Sequence, residues 1–210
     1  HLPFKQGVLG SSPRWPSILL TMKITSHFVG IETDDSVFKP LYGQLADYIA
    51  QNDLSNVIVL QPSTSLHITL YYLPPVLGKG MRENMLEFCN VLTTTVRPAI
   101  RPPFHVAYFG GEGTERVCYF APSEDGVLRE LHVALEDRYR DDSVPENALS
   151  YTPHITLFRI KDPRVFHDHR AGLERIIGSH IAAMHKAISG EVKLYEVDST
   201  VEPELQTPIT

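Results

Sequence analysis

The tetrapeptide His-Ile-Thr-Leu occurs twice, at residues 67–70 and at residues 154–157, and each copy runs on into further apolar and aromatic residues. Isoleucine and threonine are β-branched, and the polar–apolar alternation is that of a half-buried strand, so both copies read as strands rather than helix. On a strand, side chains i and i+2 face the same way. His67 therefore shares a face with Thr69, and His154 with Thr156, while Ile68 and Ile155 turn into a core behind them. A chain that repeats this arrangement must fold so that two such strands are each backed by apolar packing.

The flanking patterns supply that packing. Residues 1–21 are rich in Pro, Gly and Ser without clean periodicity and read as an N-terminal extension, with a single bilobal domain over residues 22–210. Residues 23–31 read as a strand, followed by Asp34 and Asp35 as an N-cap and a helix with Val37, Leu41, Leu45 and Ile49 on one stripe to about Asn52. Strands are expected at 56–61 and 66–73, then a helix carrying Met81, Met85, Phe88, Leu92 and Val96, broken by Pro98, Pro102 and Pro103. Residues 104–110 and 116–122 flank Gly110-Gly111-Glu112-Gly113, a hairpin signal. Asp125 is expected to cap a third helix bearing Leu128, Leu131, Leu135 and Tyr139. A strand over 154–160 follows, then Asp162-Pro163 opening a helix through 163–186, a last strand at 191–197, and a polar tail. This order is α+β with antiparallel hairpins, not an alternating parallel-sheet series.

Composition narrows the partners. With 42% hydrophobic and 21% charged residues, the chain has the make-up of an ordinary globular domain. No apolar run nears the roughly 20 residues of a membrane span. Ile18-Leu19-Leu20 is too short for a signal-peptide core and lacks a basic leader, so a cytoplasmic monomer is expected. Cys89 and Cys118 read as two buried thiols in a reducing compartment. A net charge of −6 argues against a grip on long duplex nucleic acid, yet leaves room for a small nucleotide or strand end in a local pocket. His167-Asp168-His169 lacks further ligands at usable spacing, and the glycines at 110–113 lack the Lys-Ser/Thr of a phosphate loop, so no metal and no cofactor are expected.

If the two repeated strands meet across a pseudo-two-fold axis, two imidazoles and two hydroxyls converge on one cleft. One neutral imidazole can then take a proton from an attacking water or hydroxyl while an imidazolium protonates the leaving oxygen. The hydroxyls can donate to non-bridging oxygens of a phosphodiester as charge develops there. The scheme needs no metal.

His67-Ile68-Thr69-Leu70 and His154-Ile155-Thr156-Leu157 both fit the His-hydrophobic-Thr/Ser-hydrophobic signature of the two-histidine (2H) phosphoesterase superfamily. The order of elements over residues 22–200 resembles its RNA 2′,3′-cyclic phosphodiesterase branch, often labelled 2′-5′ RNA ligase-like. The resemblance implies a bilobal α+β fold, two antiparallel sheets with outer helices around a central cleft, and metal-independent hydrolysis of a nucleotide or RNA-terminal phosphodiester, a 2′,3′-cyclic phosphate first among candidates. It implies His67 and His154 as the catalytic pair and Thr69 and Thr156 as phosphate-binding hydroxyls; within the pair, our own reading takes His67 as acid and His154 as base. Arg159 holds the place, five residues after the second histidine, where that branch often has an arginine; Tyr72 holds it after the first. Simple alternation turns Arg159 away from the cleft, so it reaches phosphate only if the strand twists or bulges. Members of the superfamily also act on 2′,5′-oligonucleotides and cyclic nucleotides, and a non-catalytic nucleotide-binding module or an RNA end-joining enzyme are the other readings. By i+4 spacing, Tyr71 and Phe158 share the face of their histidines and are candidates, with Tyr151 and Tyr108, for stacking on a base.

Overall fold

The computed structural model describes residues 25–74, 76–96, 104–140, 150–182, 188–198 and 205–209. The chain order is β1 (Thr25–Thr33), α1 (Asp35–Gln51), β2 (Ile58–Leu60), β3 (His67–Leu73), α2 (Lys79–Val96), β4 (Phe104–Phe109), β5 (Val117–Pro122), α3 (Gly126–Tyr139), β6 (Ile155–Ile160), α4 (Pro163–His180), β7 (Ile188–Asp198) and β8 (Leu205–Ile209). The strands form two four-stranded antiparallel sheets, ordered β3-β1-β7-β8 and β2-β6-β5-β4. The α+β class expected from the hairpin-rich order is the class observed.

Three local differences have physical reasons. The stretch expected as a polar tail contains β8, which pairs Leu205–Ile209 along the outer edge of β7 and covers backbone groups that would otherwise be left open. α4 ends at His180, followed by a short 3-10 turn at residues 181–182; the rest of the helix expected to residue 186 lies outside the described residues, as do the extension and the proline breaks at 98, 102 and 103. Asp125 precedes α3 without capping it, because its carboxylate is engaged instead by Arg129, with Nε at 2.8 Å and a terminal guanidinium nitrogen at 2.7 Å.

The other caps form as expected. The Asp34 carboxylate accepts from the Ser36 N–H at 3.0 Å, and Asp162 accepts from the Arg164 and Val165 N–H groups at 3.0 and 3.3 Å, with Pro163 opening α4. Asp162→Ala should cost about 0.5–2 kcal/mol, read as a fall in Tm of a few degrees; an unchanged melting curve would remove this cap from the account.

The helices cross between the sheets. α1 follows β1 of the first sheet but backs the second: Phe38 packs 6.4 Å from Phe120 of β5, and the Tyr42 hydroxyl donates to the Leu157 carbonyl of β6 at 3.0 Å. α3 follows β5 of the second sheet but backs the first: His132 bonds the Leu70 carbonyl of β3 at 2.7 Å and lies 5.8 Å from the Tyr71 ring. α2 joins β7, where the Val192 N–H donates to Thr93 at 2.9 Å, and α4 places Phe166 6.2 Å from Phe158 of β6. One apolar core therefore runs through both halves, including Ile31, Ile68, Leu70, Phe120, Ile155 and Leu157. Cys89 and Cys118 are free and buried in it; burial raises both thiols, Cys89 to about 12, so both stay protonated at neutral pH. Among the described residues no helix is long and apolar enough to cross a membrane.

Candidate active site

His67 opens β3 and His154 immediately precedes β6, so the two repeats lie in different sheets. Both rings are fixed in the same way. His67 Nδ1 lies 2.8 Å from the Ser65 carbonyl, and His154 Nδ1 lies 2.7 Å from the Thr152 carbonyl, in each case two residues back along the chain. A carbonyl can only accept, so Nδ1 carries the hydrogen in both rings and Nε2 is left with its lone pair. His67 Nε2 sits 3.1 Å from the Thr69 hydroxyl, which donates to it. Two turned imidazoles with basic Nε2 atoms are what a proton acceptor requires.

Both repeats also carry the same irregularity. In the β1–β3 ladder, Gly30 faces Thr69 and Val29 faces Tyr71, leaving Leu70 as an extra residue. In the β5–β6 ladder, Tyr119 faces Thr156 and Cys118 faces Phe158, leaving Leu157 extra. Each is a β-bulge, which makes two successive side chains point the same way. Leu70 and Tyr71 are accordingly buried together, as are Leu157 and Phe158. After the bulge the phase is reversed, so Tyr72 returns to the His67 side and Arg159 to the His154 side. Phe28 confirms the first, touching both His67 at 4.5 Å and Tyr72 at 6.2 Å. The second shows in the burial along β6, where Thr156 and Arg159 are half-buried while Ile155, Leu157, Phe158 and Ile160 are buried.

Aromatic rings back both histidines. Phe28 and Tyr195 stack at 4.7 Å behind His67, and Phe109 and Tyr119 lie 4.8 and 5.2 Å from His154. Tyr195 and Phe109 occupy matching register positions, opposite Phe28 and Val117 respectively. Gly30 corresponds to Tyr119, and an added Cβ there would come within 3.0 Å of the Phe28 ring, so the missing side chain leaves room for that ring to reach His67. This packing desolvates the imidazoles. Burial lowers His67 to about 4, opposed by the bond to Ser65 and reinforced by the charge His154 can carry. Burial also lowers His154, opposed by the bond to Thr152. That His154 acts on His67 places the two rings within electrostatic reach of one another. In the free protein both are neutral at pH 7.

Neither a protein-family model nor a curated protein matches the sequence. Among solved structures, TT0787 of Thermus thermophilus aligns over 88% of this chain and 95% of its own, with TM-score 0.50 and 18% identity. LigT of E. coli, complexed with 3′-AMP, aligns over 89% and 96% with TM-score 0.48 and 14% identity, and a structure described as a phosphoesterase over 89% and 96% with 0.46 and 16%. The Thermus structure speaks for a shared fold.

The bulges overturn one expectation. Tyr71 and Phe158 do not share the face of their histidines: they are 1% and 0% exposed and form part of the core. Tyr151 is half-buried, but its ring lies flat on His132 at 4.1 Å and its hydroxyl donates to the Thr69 carbonyl at 3.1 Å. Tyr108 lies under the Arg170 guanidinium at 4.5 Å and donates to Glu174. Tyr71 and Phe158 thus present no face to a base, and one face of Tyr151 and of Tyr108 is already taken by His132 and by Arg170. His67, Thr69, His154, Thr156 and Arg159 are half-buried, and the register puts each on the side of its own histidine. His167 and His169 lie on α4, where His169 approaches the Tyr48 hydroxyl at 3.5 Å. The halves differ in charge: Glu32 stands opposite His67 and is bridged by Lys193 at 2.6 Å, whereas the β5–β6 ladder ends with Phe120 opposite Ile155 and the next residue of β5 is the apolar Ala121.

Proposed function

We propose that this chain is a metal-independent phosphodiesterase of the two-histidine type, acting on a small nucleotide or RNA-terminal phosphodiester, a 2′,3′-cyclic phosphate first among candidates. The observation that carries this reading is the matched pair of imidazoles, each with Nδ1 tied to the carbonyl two residues behind it, which makes Nε2 the basic atom of both rings. Thr156 would donate to a non-bridging oxygen, as would Thr69 once its hydroxyl turns from His67 Nε2 to the phosphate, and Arg159 would neutralise charge on the His154 side. One imidazole takes a proton from water as the other gives one to the leaving oxygen, so the productive state holds one proton between the two.

The lowered pKa values make the pH dependence specific. kcat/KM reports the free protein, and there both histidines titrate below their ordinary 6.5, His67 at about 4. Below the lower value both rings are charged and no base remains; above the higher, the shared proton is gone. The kcat/KM bell should therefore peak below pH 6.5. A bound phosphodiester anion favours an imidazolium, so the kcat bell should lie at higher pH. A kcat/KM that is flat between pH 5 and 8 would reject the pairing.

The deciding experiment is turnover of a panel of 2′,3′-cyclic, 3′,5′-cyclic and 2′,5′-linked nucleotides, with and without EDTA. Hydrolysis of the 2′,3′-cyclic members in both conditions is expected. Return of every nucleotide intact after binding would favour a non-catalytic module, and a new 2′,5′ linkage would favour end joining.

A further inference from the structure

One pair of rings bridges the two histidine strands without taking part in that chemistry. Tyr151 lies three residues before His154, yet its hydroxyl donates to the Thr69 carbonyl, two residues after His67, at 3.1 Å. Its ring stacks on His132 at 4.1 Å with 2° between the planes. His132 in turn donates from Nδ1 to the Leu70 carbonyl at 2.7 Å. Arg129, one turn earlier on the same face of α3, donates to the Tyr151 carbonyl at 3.0 Å and is itself held by Asp125. Two consecutive carbonyls at the β3 bulge are thus each bonded by one ring of the stack. Both rings come from the part of the chain that carries β5 and His154.

The need for such a device follows from the topology. β6 is an inner strand, and its bulge carbonyl, Leu157, is held from β2's side by the Gln61 N–H at 2.9 Å as well as by Tyr42. β3 is an edge strand, with β1 on one side and no strand of the described residues on the other. An edge bulge with no neighbouring strand is free to relax its register, and with it the direction of His67 and Thr69.

We propose that Tyr151 and His132 are positioning residues that fix the spacing and direction of His67 relative to His154. The proposal rests on reading the histidines as an acid–base pair, since its consequence is for proton transfer. Neither residue touches the reacting atoms. A misplacement of about 1 Å can cost roughly a hundredfold in rate, so one hydrogen bond between the strands has a large lever.

Tyr151→Phe keeps the stack and removes only the hydroxyl bond to β3, and His132→Phe keeps a flat ring and removes only the donor to Leu70. Each should lower kcat by about tenfold, with KM within about twofold of the starting protein. The second readout is the titration of the His67 ring by NMR, which needs no turnover. As β3 relaxes, His67 loses burial and the influence of His154, so its pKa should rise towards 6.5. Thr93→Val, which breaks the α2–β7 bond and touches neither ring of the stack, serves as the comparison and should lower stability without moving kcat or the titration. A Tyr151→Phe protein with unchanged kcat and an unchanged His67 titration would overturn the proposal. So would a loss of rate that Thr93→Val reproduces at an equal loss of stability. If His67→Ala and His154→Ala retain turnover, the acid–base reading fails instead, and the titration still decides whether the stack positions His67.

Discussion

Alanine at His154 is expected to lower kcat/KM by at least about a hundredfold, and alanine at His67 by a similar order, while both proteins keep the far-ultraviolet spectrum of the fold. In the proposed mechanism one ring accepts a proton as the other donates, so losing either stops the same step. The double variant should therefore be little worse than the poorer single one. His67→Ala carries a second, separable signature. Because burial lowers His67 to about 4, the unfolded chain takes up a proton near pH 6.5 that the folded chain refuses. The folded protein therefore loses stability as pH falls from 6.5 towards 4, by about 3 kcal/mol at roughly 1.4 kcal/mol per pH unit. His67→Ala removes that liability, so its stability should fall less between about pH 7 and pH 4.5 than that of the starting protein. Urea titrations at the two pH values measure this directly. Full activity in either variant, or an unchanged acid sensitivity in His67→Ala, would contradict the environment described for these rings.

Most of the fold can be read from periodicity because most of it is set locally. The stripe Leu41, Leu45 and Ile49 predicts a buried helical face and is buried; Asp162-Pro163 predicts a helix start and forms one. The repeated tetrapeptide points to two matching strands, and the registers bear that out down to the side chains around them. What could not be read depends on partners remote in sequence. β8 exists because β7 offers an open edge, and nothing within Leu205–Ile209 announces it. Asp125 has the right residue type for a cap but finds Arg129 closer in chemistry. The aromatic backing of His67 comes from Phe28 and Tyr195, which only the β1–β7 pairing brings together. The bulges left a trace that strict alternation passes over. His-Ile-Thr-Leu-Tyr-Tyr and His-Ile-Thr-Leu-Phe-Arg each break their alternation with an apolar pair at the same place, Leu70-Tyr71 and Leu157-Phe158. A doublet repeated at equal positions in two copies is a sequence sign of a bulge.

That doublet can be tested by exchanging the effects expected of two adjacent residues. Phe158→Ala should destabilise the protein by about 3–5 kcal/mol, the cost of emptying a fully buried aromatic site, and lower Tm by roughly 10 °C. The fraction that remains folded should bind and turn over substrate much as before, since Phe158 faces Phe166 and the core. Arg159→Ala should do the reverse. It removes a cation whose field reaches His154, so KM for a phosphodiester should rise by about tenfold to a hundredfold, the range of a lost charge-assisted bond, with a far smaller loss of stability. Loss of Arg159 also lifts one of the influences that lower His154, so the kcat/KM optimum should move to higher pH. Without a bulge at Leu157 the two neighbours would exchange faces, and the predictions would exchange with them. If Phe158→Ala weakens substrate binding at little cost in stability while Arg159→Ala unfolds the protein, the strand runs straight past Leu157 and the arginine does not belong to the cleft.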